Sequence, residues 1–372
     1  MARFIQLHLL TAYPPSNLNR DDLGRPKTAV IGGKTRLRVS SQSLKRHWRT
    51  SDLFRDAFRG QMGDRTKDLG PRVLKALTDE GMDVKDAETA TQAIAKVFGK
   101  PKGKREHFAH ETLVFYDPAE IDAIDALVAR LAGEKRQPEA EELNLLSKTR
   151  AVDIGMFGRM LADPKAQPYK TDASIQVAHA FTVHEVQVED DYYTAMDDAS
   201  DDRIDFFAAA DTLGRERTRD DAGAAHLDVA EFGAGVFYLY VCIDAASLVR
   251  NLGGDADLAR EAARTLTEAA ATVAPGGKQN SYASRAYASL VLAEAGDRQP
   301  RSLMSAFLRP VQGGDPMEDA IARLSDTRDK MDHAYYGDDR LASETMNVPA
   351  GDGTLAGVLE FIASHVPEST DG

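Results

Sequence analysis

Segments with the pattern of strands and helices follow one another in an order that admits few folds. The strand-like segments are residues 3–11, 175–188, 235–243 and 286–294, and the helix-like segments are residues 40–49 and 256–274. Apolar residues alternate or run together in the former and recur at helical spacing in the latter. With residues 61–149 set aside, the order is strand, helix, strand, strand, helix, strand. This is the βαββαβ order of ferredoxin-like and RRM-like α+β folds.

Residues 61–149 differ in character from the segments around them. They are charged, and their apolar residues between Ile121 and Leu131 are spaced as on one face of a helix. A basic stretch interrupts them at residues 99–105. We interpret residues 61–149 as an inserted helical subdomain. Near the end of the chain, residues 354–365 predict one further helix.

Positive charge is concentrated at the start of the chain. The first fifty residues contain ten Lys or Arg against two Asp, a net of +8 on a chain of −13, so the remaining 322 residues carry −21. Residues 185–231 hold 15 acidic residues and four arginines, a net of −11, and would form an excursion at the tip of the central hairpin. The basic region predicts a surface for a polyanion, although an ordinary solvated face gives the same composition.

The first helix is the strongest local signal for phosphate binding. A helix N-terminus presents unpaired amides and the positive end of the helix dipole, and Ser40 and Gln42 add neutral donors there. Lys45 and Arg49 are four residues apart and share a face, while Trp48 lies on the apolar face and is predicted to anchor the core. The alternative is a capped surface helix with ordinary basic residues.

The segment before this helix adds basic and flexible positions. Arg36 and Arg38 alternate in an extended segment and are predicted to share one face, which places both in the basic surface. The Gly-Gly-Lys sequence at residues 32–34 resembles the end of a nucleotide-binding P-loop, but Thr28 occupies the position where that motif requires glycine. We predict instead that the glycines let the backbone approach a phosphate, with Lys34 beside it.

The sequence predicts neither a catalytic site nor a metal site. The histidines match no zinc-binding spacing, no nucleophile motif is present, and the single cysteine, Cys242, lies in an apolar run typical of a buried residue. We therefore predict no enzymatic activity, no metal and no cofactor. One cysteine excludes an internal disulfide framework and indicates a reducing compartment, and no apolar run is long enough to span a bilayer. These features predict a cytoplasmic protein that does not bind membranes.

Two apolar clusters are candidates for contacting nucleotide bases. Tyr193, Thr194 and Met196 begin the acidic excursion, and Met160 follows a glycine-flanked segment that predicts an exposed turn. Exposed aromatic and apolar side chains stack on bases or wedge between them. A local hydrophobic cluster at the base of the hairpin is an equally good interpretation of the residues near 193.

Together these segments resemble the CasC backbone subunit of type I-E CRISPR Cascade. The matching motifs are SNLNRDD at 16–22, GGK at 32–34, RVSSQSLKR at 38–46, GRM at 158–160, AHA at 178–180, TAMDD at 194–198, GVFY at 235–238 and PGGKQ at 275–279. They are scattered in order over residues 1–295. The SSQSLKR block carries most of the specificity, and the C-terminal region carries little.

The resemblance implies a hand-shaped, non-enzymatic RNA-binding subunit. Its RRM-like palm would comprise residues 1–60, 150–190 and 232–372, the second part including the return from the fingers and the third the C-terminal helix. Residues 61–149 would form the helical fingers insertion, and residues 191–231 a projecting thumb hairpin. Copies would polymerise head to tail along a CRISPR guide RNA (crRNA), beside other Cascade subunits, and kink it periodically so that it pairs with target DNA in antiviral defence.

The resemblance also implies roles for individual residues. Contacts to guide phosphates would come from Arg20, Ser40, Gln42, Lys45 and Arg49. Lys27 and Lys34 match basic residues of the family, and whether they face RNA, DNA or a neighbouring subunit stays open. Met160 matches a wedge residue beside the kink. The thumb residues that cover the displaced base would be Tyr193, Thr194 and Met196, and Lys278 matches a loop residue whose role stays open.

Two other functions stay open from the residues alone. The first is a stand-alone module that binds single-stranded RNA or DNA. The second, less favoured, is a repeat-processing endoribonuclease of the same broad superfamily, which needs His, Tyr or Lys side chains clustered at the scissile phosphate. The acidic stretch at residues 201–221 also makes the excursion longer than the resemblance implies for a thumb, and its role stays open.

Overall fold

An antiparallel sheet organises the chain, and the computed structural model describes residues 2–161, 169–195, 226–337 and 339–368. The strands are β1 (Phe4–Ser16), β2 (Thr28–Ile31), β3 (Lys34–Val39), β4 (Asp64–Thr66), β5 (Val114–Tyr116), β6 (Ile175–Val177), β7 (Ala180–Thr182), β8 (Glu189–Ala195), β9 (His226–Asp244), β10 (Ala288–Gly296) and β11 (Ala342–Asn347). The helices are α1 (Ser41–Arg49), α2 (Asp52–Ala57), α3 (Leu69–Asp79), α4 (Val84–Phe98), α5 (Pro118–Glu134), α6 (Val152–Phe157), α7 (Ala245–Asn251), α8 (Ala256–Thr272), α9 (Gln279–Tyr282), α10 (Pro316–Tyr336) and α11 (Leu355–His365). None of the helices in these ranges combines the length and apolarity that a bilayer crossing requires.

The main sheet has the strand order β11-β10-β1-β9-β7-β3-β2. Every neighbouring pair along this path is antiparallel. β6 and β8 pair with β9 outside the path, and β4 and β5 form a separate two-stranded sheet. β1 lies inside the sheet, between β10 and β9, and its first eight residues are buried. The mixed α and β content with an antiparallel sheet confirms the predicted α+β class.

The predicted strand at residues 175–188 is wrong as a single element. β6 pairs Val177 with Val241, whereas β7 pairs Phe181 with Tyr238, so the register against β9 changes by one residue. The extra residue lies at 178–180 and forms a bulge. The split lets β7 also pair with β3, which β6 does not reach.

Each face of the sheet is covered by a different layer. Alternate residues of the strands point to opposite faces, so Ile5 packs in one hydrophobic cluster with Trp48 of α1 and Leu266 of α8. On the other face, Tyr238 packs with Phe307 and with apolar residues of α10. The sheet is therefore buried on both sides.

The residues predicted to form an insertion have a hydrophobic cluster of their own. Side chains of α3, α4 and α5 pack together in it, including Leu77, Ile94 and Leu131. α5 confirms the helical spacing seen before Leu131, and it begins at a capping box in which Asp117 accepts from the backbone and Glu120 bonds back to the Asp117 amide.

Other predicted elements are confirmed with small shifts, and one region was missed. α8, α11 and β10 lie where helices and a strand are predicted. The sequence did not indicate α10 or β11. α10 has few apolar residues at helical spacing, because part of its buried face is polar. Asp332 lies on that buried face with Ala320 and Leu324 and is fully buried.

Candidate nucleic-acid interface

α1 begins where the sequence predicts, and the preceding loop supports its N-terminus. The Ser40 hydroxyl accepts a hydrogen bond from the Ser43 amide at 3.3 Å, which caps the helix. The Ser40 amide donates to the side-chain oxygen of Asn19 at 2.9 Å. Leu44 and Trp48 are buried in the core, as predicted for Trp48. The other face of α1 therefore presents its polar and basic residues away from the core.

An open groove of about 800 Å³ runs along this face of α1. Its other walls are the two-stranded β4–β5 sheet and the segments at residues 157–160 and 170–173. The basic residues lining it are Lys45, Arg46, Arg49, Arg65, Arg159 and Lys170. Among the described residues of the groove Asp172 is the one carboxylate, and it pairs with Lys170 at 2.8 Å. The surplus of positive charge suits a polyanion.

Four residues predicted from the sequence meet in this groove. Gln42, Lys45 and Arg49 come from α1, and Met160 faces them from the segment after α6. The Met160 side chain is 88% exposed, which agrees with the predicted exposed turn at that residue. The groove thus combines donors and cations with an apolar side chain that water does not favour.

Two aromatic rings support the cations of α1. The Lys45 ammonium lies 5.5 Å from the ring centre of Phe157, and the Arg49 guanidinium lies 5.1 Å from that of Phe115. Both distances suit cation–π attraction. Burial lowers the pKa of Lys45, because the ammonium is partly removed from water. An anion bound in the groove would compensate part of the free energy that the Lys45 ammonium loses when it is removed from water.

Arg49 is also held from below by a buried carboxylate. Its guanidinium contacts Asp153 at 3.2 Å, and Asp153 accepts further hydrogen bonds from the amides of Gly63 at 2.7 Å and Ile154 at 3.1 Å. Burial raises the pKa of Asp153, against the opposing effect of these donors. Arg49 therefore has a fixed position, with the rest of its guanidinium at the groove.

Arg159 lies under the groove and has a structural role. It is almost fully buried and pairs with the buried Glu120 at 2.7 Å. Its guanidinium also donates to the carbonyls of Ser147 at 3.0 Å and Tyr169 at 3.1 Å. Arg159 thus ties the insertion to the wall of the groove, and its charge is already compensated.

Several groove residues were missed by sequence reasoning. They are Arg46, Arg65, Leu113, Phe115, Phe157 and Lys170. Arg46 had a signal, since it belongs to the basic block of the first helix. The others carry no motif, because only the folding of residues 61–149 brings the β4–β5 sheet beside α1.

The remaining predicted basic residues lie outside the groove. Arg20 is exposed, and its backbone forms an isolated antiparallel β-bridge with that of Pro26. Lys27 is half-buried, and its amide donates to the Asn19 carbonyl at 2.8 Å. Lys34 is exposed and pairs with Glu185 at 3.0 Å, so its ammonium already has a carboxylate partner within the chain.

Lys278 lies in a loop packed against the segment that precedes α1. A side chain at Gly277 would meet the carbonyl oxygens of Asn17 and Leu18 at 2.4 Å, so only glycine permits this approach. Lys278 itself is half-buried, with a φ of 44°. The loop therefore places Lys278 near the loop that carries Arg20.

Two predictions about the basic segment before α1 are wrong. Arg36 is fully buried and donates to the carbonyls of Thr182 at 2.9 Å and Phe307 at 3.1 Å, so it does not belong to a basic surface. Gly32 has a φ of 59°, and a Cβ there would lie 1.7 Å from the Leu308 carbonyl oxygen. The close backbone approach at Gly32 thus serves internal packing instead of a phosphate, whereas the space around Gly33 is open and its approach to a phosphate stays a prediction.

The predicted thumb residues are described only in part. Tyr193 and Thr194 lie in β8, which pairs antiparallel with β9 from Glu189↔Phe232 to Ala195↔His226. β8 and β9 are thus antiparallel neighbours where the sequence predicts the base of the thumb. Met196 and the acidic stretch 201–221 lie outside the described residues.

The sheet face opposite α1 is closed to RNA. RRM proteins stack bases on aromatic residues of that face. Here the hydroxyl of Tyr238 donates to His8 Nδ1 at 2.8 Å, and His8 Nε2 donates to Glu294 at 3.1 Å, all three residues being buried. Arg301 and Arg328 cover them from the side of α10. The groove along α1 is therefore the better candidate interface.

The described residues contain no group of three or more His, Cys, Asp or Glu side chains placed to hold a metal ion. Cys242 is buried, and burial raises its pKa to about 11, so it is a thiol at neutral pH.

Comparisons with known proteins agree with one another. The model of the CT1975-like protein family matches residues 5–203 and 199–353. A chain of a structure described as "CRISPR RNA-guided surveillance complex, pre-nicking" is 29% identical, with a TM-score of 0.78 over 97% of this chain and 100% of that one. A chain of a second CRISPR RNA-guided surveillance complex is 25% identical, with a TM-score of 0.70 over 97% of this chain and 99% of that one. A comparison with curated proteins returns no match.

Proposed function

Because the chain belongs to the CT1975-like protein family, we propose that it is a guide-RNA-binding backbone subunit of a Cascade-type CRISPR surveillance complex. Both similar structures are RNA-guided surveillance complexes, and each similar chain is covered almost completely. Within this class, the sequence motifs favour the CasC subunit of type I-E. The protein would act by binding, without catalysis.

The observation that carries the proposal is the charge of the groove along α1. Lys45, Arg46 and Arg65 line it without a carboxylate partner in the described residues. Phosphate contacts supply affinity without reading sequence, which is what a subunit spaced along any guide requires. The guide phosphates would lie along α1, and Met160 would wedge beside a displaced base.

The strand order supports an RRM-like palm. In the βαββαβ order, β1, β7, β9 and β10 are the first to fourth strands, and they lie in the order β10-β1-β9-β7. α1 lies between the first two strands in the chain and α8 between the last two, and both pack on one face. The insertion α3–α5 would be the fingers, and the β8–β9 hairpin the root of a thumb that reaches a neighbouring copy.

Isolation of the protein tests the proposal directly. Expressed with a CRISPR repeat array and the partner subunits, it should purify with RNA of one discrete length and in several copies per RNA. Uniform one-protein complexes with RNA of any length would instead indicate a stand-alone single-strand-binding module. Cleavage of repeat RNA by the purified protein would contradict the non-enzymatic assignment and indicate an endoribonuclease.

The salt dependence of RNA binding tests the role of α1. The double variant Lys45→Ala, Arg49→Ala should reduce the slope of log affinity against log salt by about 1.4, because each phosphate contact on a single strand contributes about 0.7. Fluorescence anisotropy with labelled single-stranded RNA measures the slope. The matched control is Lys330→Ala, Arg340→Ala, two exposed cations that each pair with an aspartate. Equal slopes in both double variants would contradict the assignment.

A further inference from the structure

Three basic side chains meet beside the N-terminus of α1, outside the groove. Arg38 is at the end of β3, and its amide donates to the Lys27 carbonyl at 2.8 Å. His179 lies in the bulge between β6 and β7, two residues before Phe181, the residue that pairs with Arg38. A bulge re-aims side chains, and here it brings the imidazole to the guanidinium.

The contact between Arg38 and His179 defines the tautomer of the imidazole. Arg38 Nη1 lies 2.6 Å from His179 Nδ1. Because a guanidinium can only donate, Nδ1 accepts, and the ring proton is on Nε2. Nε2–H has no hydrogen-bond partner in the described part of the chain, and the His179 side chain is exposed. It is a donor available to a ligand.

The cluster carries positive charge without compensation. Burial, then the charges of Arg38 and Lys27, lower the pKa of His179 below its ordinary value, and no carboxylate is among the groups that act on it. Neither Lys27 nor Arg38 forms an ion pair within the described residues. By contrast, Arg36 in the same strand is satisfied by two carbonyls. Within the described residues, the cluster therefore has no anion that compensates its charge.

The position of the cluster indicates which kind of anion it would bind. Arg38 precedes the α1 cap, Ser40, by two residues, and Asn19 bonds to both Ser40 and Lys27. A single strand whose phosphates lie along α1 would therefore pass the cluster as it leaves the helix N-terminus. A guanidinium, an ammonium and an imidazole N–H on one side of a tetrahedral phosphate suit its several acceptor oxygens.

We propose that Lys27, Arg38 and His179 form a second phosphodiester site, which holds the guide backbone beyond the groove. This site rests on the proposed function, since it needs a bound RNA strand. When the phosphate binds, the Arg38 guanidinium turns from His179 Nδ1 to the phosphate. The freed Nδ1 then takes up a proton, because the charge of the phosphate raises the pKa of His179. RNA affinity should then rise as the pH falls toward the pKa of His179 in the complex.

The test uses the full chain and a labelled single-stranded RNA of mixed sequence, with anisotropy measured over salt and from about pH 8 to about pH 5.5, where imidazoles titrate. Arg38→Gln should lower the affinity roughly tenfold and the salt slope by about 0.7. His179→Gln keeps a neutral donor, so its affinity at about pH 8 should equal that of the wild type, while the roughly 2–5-fold rise at acid pH is lost.

The control is His333→Gln, an exposed histidine on α10. It should keep both the slope and the acid rise. If Arg38→Gln does not fold, Lys27→Gln provides the slope measurement. Wild-type behaviour of both Arg38→Gln and His179→Gln, with RNA still bound, would overturn the site and leave the proposed function standing. A wild-type chain that does not bind RNA would overturn the proposed function itself.

Discussion

Cations lie on both sides of the main sheet, and their surroundings differ. Between α10 and the sheet, the side chains of Arg301 and Arg328 are 13% and 18% exposed, and both contact the fully buried Glu294 at 2.8–3.0 Å. Along α1, Lys45 and Arg46 line an open groove without a carboxylate partner in the described residues. The first group is neutralised within the chain, and the second is not.

The difference separates structural cations from binding ones. A charge removed from water must be paired within the protein, because its desolvation costs several kcal/mol by rough estimate. A single charge at the surface is solvated by water and needs no partner. Several cations close together at the surface repel one another, and a bound anion relieves that repulsion. The same basic residue types therefore support stability under α10 and binding along α1.

The largest expected effect is a loss of stability when the ion pairs of Glu294 with Arg301 and Arg328 are removed. Glu294→Gln would leave Arg301 and Arg328 with Asp332 as their remaining carboxylate partner among the described residues and should reduce the free energy of unfolding by about 3–5 kcal/mol. Urea denaturation followed by circular dichroism measures this. Glu360→Gln, on the exposed side of α11, is the control and should change stability by less than about 0.5 kcal/mol. A similar result for both variants would mean that the network is not structural.

Acid should reduce the free energy of unfolding through the same buried network around Glu294. Burial by itself raises the pKa of Glu294, but hydrogen bonds from His8 and Arg301 outweigh it and lower the value from 4.5 to about 2. The folded chain therefore gains about 3 kcal/mol above pH 4.5, which is lost as the pH falls toward 2. Burial also lowers the pKa of His8 below 6.5, so its contribution begins to be lost below that pH.

Unfolding midpoints measured over this range should fall in two stages, first through His8 and then through Glu294. In Glu294→Gln the lower stage should become smaller, and the part that remains belongs to other carboxylates whose pKa is lowered in the folded chain, such as Glu142 and Asp117. A midpoint that stays constant from neutral pH down to the lower stage would contradict the assignment.

Two arginines in one strand sharpen the comparison at a smaller scale. Arg36→Gln removes a buried guanidinium from two carbonyls and should cost about 1–3 kcal/mol of unfolding free energy. Arg38→Gln should cost less than about 0.5 kcal/mol, because Arg38 is part of the surface. The order of their effects should reverse for RNA affinity. Equal losses of stability would show that burial does not distinguish them.

The smallest expected effect concerns the aromatic support of the groove. Phe157→Leu removes the cation–π contact of Lys45 and should weaken RNA binding by about 2–5-fold, the equivalent of about 0.5–1 kcal/mol. Tyr335→Leu, an exposed aromatic on α10, is the control and should leave affinity unchanged. Anisotropy at low salt resolves the difference, and unchanged affinity in both would exclude a supporting role for Phe157.

Local signals in the sequence predicted some elements well. The cap at Ser40 and the apolar pair of α1 placed the first helix within a residue, because capping and helical periodicity act over a few neighbours. Helical spacing also predicted α8 to within two residues and α11 to within one, and it indicated α5 without giving its bounds. The bulge at residues 178–180 and α10 were missed, because both depend on partners far away in the chain.

The sequence by itself determined the α+β class, the basic helix and the helical character of residues 61–149, since charge, caps and periodicity are local properties. Only the tertiary structure decided which cations are free. Arg36 and Arg38 are two residues apart, and the buried Arg159 is adjacent to the exposed Met160, yet burial and hydrogen-bonding partners come from distant strands and helices. The groove and its charge exist because the insertion folds back against α1, a contact that no local pattern encodes.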